Sequence, residues 1–145
     1  MQVPFIDLKA RFIEEKEELL KAVEKTLSSG SLVMTKELEE FEQDVQNYTK
    51  AKYCIGLNSG TDALMMALWA GGIGKDDEVI QPCISFVATA GATVHIGAKP
   101  VFCDVGNDGL IDPDKIEEKI TNKTKAIVPV HWAGKMCDMD KIFKI

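Results

Sequence analysis

Apolar residues recur at helical spacing along the first part of the chain. Leu8, Phe12, Leu19, Val23 and Leu27 follow one another at steps of four and seven. That spacing puts them on one face of a helix, with Glu14, Glu15, Lys16 and Glu18 on the other. Ser28-Ser29-Gly30-Ser31 ends the pattern. Leu38, Phe41, Val45 and Tyr48, at steps of three, four and three, predict a second, shorter helix. Charge runs in this stretch, such as Glu37-Leu38-Glu39-Glu40, read as solvated faces.

From Tyr53 onward the pattern changes. Strand-like runs at Cys54–Leu57, Glu78–Gln81, Pro100–Asp104 and Ala126–His131 alternate with helical runs. Those helical runs extend to Ala70, over Ser85–Ile96, over Pro113–Ile120 and onward from about Asp138. Such alternation predicts an α/β fold with a mainly parallel sheet between helices. The strand-like runs are short, apolar and not alternating, as expected of strands covered on both faces. Asp112 before Pro113 is a good helix start, because proline suits the first helical position. The chain ends at Asp140-Lys141-Ile142-Phe143-Lys144-Ile145 inside a helical pattern, and four parallel strands are few for a two-faced sheet. The expectation is a truncated fold, part of a larger protein. Apolar helix faces such as Ala63–Trp69 would then stay exposed unless another chain or further sequence covers them, which predicts a homo-oligomer.

Composition narrows the class. A chain of 145 residues suits one domain, and 46% apolar with 28% charged content describes a globular protein. The net charge of −6, with lysines and arginines scattered, argues against a nucleic-acid partner. No apolar run approaches the ~20 residues of a membrane-spanning helix, and the N-terminus lacks the order of a secretion signal. No membrane partner and a cytoplasmic location are the expectations. Cys54, Cys83, Cys103 and Cys137 form no C-x-x-C pair, and with only His95 and His131 beside them neither a disulfide framework nor a metal site is expected.

In a parallel α/β sheet, ligands bind beyond the carboxyl ends of the strands. Four segments fall there: Asn58–Asp62, Pro82–Phe86, Asp104–Asn107 and His131–Gly134. The turn Asn58-Ser59-Gly60-Thr61-Asp62 leads from a strand-like run into a helix, where unpaired backbone N–H groups and the helix dipole form a natural phosphate site. Gly60 permits close approach of an anion, and the hydroxyls of Ser59 and Thr61 can add bonds. An ordinary helix start capped by Asn58 or Ser59, with Asp62 complementing the dipole, fits the same residues. Phe86 could stack on a planar ligand or pack beneath its loop. Asp104 could bind a ligand or cap the next turn. His131 could serve the site or bond to nearby backbone. Met65-Met66 reads as core.

Taken together these segments resemble the DegT–StrS family of sugar aminotransferases, which use pyridoxal phosphate (PLP). The matching residues are Phe41-Glu42, Asn58-Ser59-Gly60-Thr61-Asp62-Ala63-Leu64, Asp77-Glu78-Val79-Ile80-Gln81-Pro82 and Ser85-Phe86-Val87-Ala88-Thr89. Gly97 to Asp104, Thr124 to His131, Gly134 and Asp138-Met139 follow in order. The resemblance implies the N-terminal part of a fold-type I PLP transferase, with residues 1–50 a helical arm and 51–145 the N-terminal portion of the PLP-binding large domain. It implies that Ser59, Gly60 and Thr61 bind the cofactor phosphate, that Phe86 stacks on the pyridine ring, and that His131 runs beside the cofactor. The implied reaction moves an amino group from glutamate to a nucleotide-linked keto-sugar, in polysaccharide biosynthesis, at sites built on a homodimer interface.

The departures are as informative. Such enzymes form a Schiff base on a lysine in a Ser-Phe-x-x-x-Lys type motif and hold the pyridine nitrogen with an acidic residue in a Glu-Asp-x-Ala type motif. Neither motif occurs here, so no catalytic residue is expected in this chain, and the chain alone is expected to be inactive. Lys135 reads as a solvated loop lysine. Thr35 stands where many members have glycine, in a loop that often lies near a neighbouring subunit's site. Two rival readings are a nucleotide-binding α/β domain, though G-x-G-x-x-G and the Walker lysine motif are absent, and a non-catalytic truncated product acting by association.

Overall fold

The computed structural model describes residues 3–145. The chain divides into two compact units, one reaching Gly56 and one spanning Leu57–Ile145. In the first, α1 spans Leu8–Ser29 and α2 spans Lys36–Thr49. The Asp7 carboxylate caps α1 by accepting the Ala10 N–H at 2.9 Å, and Gly30 ends it in the left-handed conformation at φ 71°. Lys25 and Glu37 pair at 3.0 Å. Neither helix has a buried residue, so the predicted stripe from Leu8 to Leu27 is uncovered.

The expected strand Cys54–Leu57 does not form. A strand needs a ladder partner, and none of the strands present pairs with it. The Gly56 N–H goes instead to the Glu42 carboxylate of α2, at 2.7 Å.

The second unit carries α3 (Gly60–Ala70), β1 (Glu78–Pro82), α4 (Val87–His95), β2 (Lys99–Cys103), β3 (Thr124–Ile127) and α5 (Met139–Ile142). The three strands form a parallel sheet in the order β2-β1-β3, as the alternation predicts, with Ile80 opposite Val101 and Ile127. Every residue of the central β1 is buried, Glu78 and Gln81 included, so its lack of alternation fits a strand covered on both faces. Val79 packs with Leu68, Ile73 and Ala98 on one face. Ile80 packs with Cys103, Leu110, Ile111, Ile116, Cys137 and Ile142 on the other. β2 lies at the sheet edge, and its Phe102 is exposed.

Polar bonds fasten the amino end of the sheet. Glu78, buried at the start of β1, accepts from Thr121 Oγ1 at 2.7 Å and from Lys99 Nζ at 3.0 Å. The Thr121 hydroxyl and the Lys99 ammonium hold its carboxyl below the usual glutamate range.

Two further elements and one residue differ from expectation. The helix expected over Pro113–Ile120 is two 3₁₀ turns, Pro113–Lys115 and Glu117–Lys119. Asp112 does cap the first, accepting the Asp114 N–H at 3.1 Å. Only Ile116 turns fully into the core while Ile120 stays exposed, so the segment lacks the stripe that holds a longer helix in place. The strand expected to run to His131 ends at Ile127; Val128 adds one more bond, to the Ile80 carbonyl at 2.8 Å, and Pro129 then has no N–H to donate. Met66 is exposed rather than core. Among the described residues no helix is long and apolar enough to cross a membrane.

Candidate functional site

Chain direction gathers the candidate segments of the second unit at one edge of the sheet. α3 packs on β1 through Leu68 and Val79 and returns to it through the short connection Gly71–Asp77, so it runs opposite to the strand. Its N-terminus therefore lies at the carboxyl end of β1. α4 begins at that same end, directly after β1, and the continuation of β3 leads there to His131.

At the start of α3 both readings of the Ser59 turn are met by different atoms. Ser59 is the cap: its hydroxyl accepts the Asp62 N–H at 3.1 Å and donates to the Asp62 carboxylate at 3.0 Å. Asn58 is not the cap. The cap consumes the Asp62 N–H, and Ser59 O takes Ala63 N–H at 3.0 Å. The N–H groups of Gly60 and Thr61 are left as first-turn donors without an intrahelical partner. Gly60 lies outside the left-handed region, and a Cβ added to it would meet nothing within 4 Å. The fold itself does not require glycine there, and the space above the helix start is open.

Phe86 occupies the N-cap position of α4 without a side-chain cap bond. The residue is 70% exposed, so it is not packed beneath its loop. What holds it lies behind it: Ser85 and Thr89 share a hydroxyl bond of 2.7 Å, and the Thr89 N–H donates to the Phe86 carbonyl at 3.1 Å. The Thr93 hydroxyl reaches the Thr89 carbonyl at 3.3 Å and Gln81 Oε1 at 3.5 Å. A cavity of about 210 Å³ beside this row is lined by Gln81, Pro82, Ser85, Phe86, Val87 and Phe102. The Gln81 amide nitrogen is buried and makes no hydrogen bond.

His131 is exposed, and its Nδ1 accepts the Cys137 N–H at 3.1 Å. Asp104, directly after β2, forms an ion pair with Lys115 at 3.3 Å. Lys135 pairs with Asp108 at 3.1 Å; the Leu110 N–H and that ammonium hold the Asp108 carboxyl below its usual range. A cavity of about 510 Å³ is lined by Asp108, Asp112, Asp114 and Asp138 with Lys141. Four carboxylates against one ammonium make it a poor host for a phosphate. Of the residues behind Phe86, Gln81, Ser85 and Thr89 stand in motifs read from the sequence, but the bonds among them leave no trace there. The Cys137 contact to His131 leaves none.

The donor set at the sheet edge suits a dianion, and the exposed ring of Phe86 suits a flat partner. Comparison with known proteins agrees with that chemistry. A dTDP-3-amino-3,6-dideoxy-alpha-D-galactopyranose transaminase of Aneurinibacillus thermoaerophilus is 42% identical over 97% of this chain and 39% of its own length. A 3-oxo-glucose-6-phosphate:glutamate aminotransferase of Bacillus subtilis is 40% identical over 99% of this chain and 33% of its own. The structure of NtdA from Bacillus subtilis with bound cofactor PMP superposes with a TM-score of 0.94 at 40% identity, covering 99% of this chain and 33% of that one. The chain thus spans between 33% and 39% of the length of these relatives. Residues 13–145, nearly the whole chain, match a single family description. The chain belongs to the DegT/DnrJ/EryC1/StrS aminotransferase family.

Proposed function

We propose that this chain is the phosphate-holding part of a PLP-dependent aminotransferase that moves an amino group from glutamate to a nucleotide-linked keto-sugar. The observation that carries the reading is the pair of free N–H donors at Gly60 and Thr61, set at the same sheet edge as the exposed Phe86 ring. The residues fit the cofactor. Gly60 and Thr61 would hold its phosphate through backbone N–H groups, assisted by the positive end of α3 and the Thr61 hydroxyl. Ser59 would act one step back, since its hydroxyl is engaged with Asp62 and sets the helix start. Phe86 would underlie the ring and shield one face from water. When bound, PLP supplies an electron sink for the charge that develops as the amino group moves.

The relatives' names supply the substrate class: a dTDP-linked amino sugar in one and glutamate as partner in another. The uncovered apolar residues of α1 support a homodimer, and biosynthesis on nucleotide-linked sugars supports a cytoplasmic location. Residues 1–50 would be a helical arm and 51–145 the beginning of the PLP-binding domain. The chain by itself would not turn over substrate, because no lysine in it stands in the motif that such enzymes bond to the cofactor.

Phe86→Ala tests the reading. Stacking on an aromatic face is worth about 0.5–1.5 kcal/mol beyond area burial, so PLP affinity should fall by several-fold to about tenfold. Inorganic phosphate should still compete for the α3 turn in the variant. Unchanged PLP affinity in a spectroscopic titration would refute the stacking role, and loss of phosphate competition would show that the variant is misfolded at the turn.

A further inference from the structure

His131 is held through Nδ1 by one buried residue, which also bonds to the residue before it. The Cys137 N–H donates to His131 Nδ1 at 3.1 Å, and the Cys137 thiol donates to the Val130 carbonyl at 3.2 Å. The return of the chain to this position depends on left-handed backbone at Ala133 and Gly134, φ 53° and 80°, and on the Lys135–Asp108 pair that anchors the loop at 3.1 Å. A ring nitrogen that accepts a backbone N–H carries no proton of its own, so the proton of the neutral imidazole resides on Nε2. Nε2 then has one use, as a donor.

We infer that Cys137 is a positioning residue that locks His131 as an Nε2–H donor toward an oxygen acceptor of the bound cofactor. The placement supports that partner: β3 neighbours β1 in the sheet, and His131 follows β3 at the edge where β1 leads to Phe86 and where α3 begins. The ligand half of the inference rests on the PLP reading above; the lock itself stands on the geometry alone.

Two measurements on the protein produced from its own gene test the two halves. With histidine labelled in ¹⁵N and no cofactor added, NMR should show His131 in the Nε2–H tautomer at neutral pH; an Nδ1–H tautomer overturns the lock. PLP titration of His131→Asn and His131→Gln then tests the donor, because the asparagine amide mimics the position of Nδ1 and the glutamine amide that of Nε2. Asparagine should weaken binding about tenfold, the scale of one hydrogen bond to a charged acceptor. Glutamine should recover most of that loss. Equal losses in the two variants, or none, overturn the ligand half. Phe86→Ala serves as the parallel control: if it binds PLP as tightly as the unaltered protein, the cofactor reading is what fails, and the tautomer result is untouched.

Discussion

Gly60→Ala separates what the fold needs from what a ligand needs. Gly60 is the first residue of α3, its φ is not left-handed, and an added Cβ would meet no atom within 4 Å. The methyl group therefore costs the folded state nothing in strain. It removes conformational freedom from the unfolded chain, which stabilises by about 0.4–1 kcal/mol where the native backbone tolerates alanine. The same methyl sits over the helix start, where an anion must approach the Gly60 and Thr61 N–H groups. Losing one charge-assisted bond there costs about 1.5–3 kcal/mol of binding, or roughly ten- to a hundredfold in affinity. Urea denaturation without ligand reads the first effect, and PLP and inorganic phosphate titrations read the second. Stability should rise slightly while both affinities fall. A variant that loses stability would refute the open space above the turn. A variant that binds both ligands unchanged would refute the phosphate role of α3.

The remaining predictions concern the sheet. Ile116→Ala should lower stability by about 2–5 kcal/mol, because this side chain is 0% exposed and joins the 3₁₀ turns to the core; Ile120→Ala, at an exposed position, should change it by about 0.5 kcal/mol or less, both read as shifts in urea midpoint at constant slope. Glu78 should make stability pH-dependent. Its carboxyl titrates lower in the folded protein than in the unfolded one, so its contribution is whole above the ordinary glutamate range of about 4.3 and is lost as pH falls through the lowered value. Thermal melts from pH 6 down to about pH 3 should show a smaller acid-side loss in Glu78→Gln than in the unaltered protein, and parallel curves would count against the node.

The architecture was legible wherever an element's partners lie within a few residues or its faces are covered on both sides. β1 reads as a buried strand because α3, α4 and the Ile116 region enclose it. Cys54–Leu57 is also largely apolar, yet strandhood is a property of a pair, and among the described residues the strands pair only with one another. Pro113–Ile120 has the start signal of a helix but one anchoring residue, and a start signal without a stripe yields only 3₁₀ turns. The early end of β3 was written in Pro129 and could have been read there. At the site, the small polar residues of the Ser59 turn announce a helix start, while the assignment of the cap to Ser59, which frees Gly60 and Thr61, takes coordinates. The Cys137–His131 bond depends on left-handed backbone at Ala133, a residue type that carries no signal for it.

The Glu78 node has one more consequence. It joins β1 to Lys99 at the start of β2 and to Thr121 just before β3, so a single side chain ties together three segments at the edge opposite the ligand loops. Strand alignment is thereby guarded at one end, and the loops at the other are released from that duty. Changes in the connections beyond the carboxyl ends of the strands can then alter the rim without letting the strands slip. A scaffold divided in this way confines variation to its far rim.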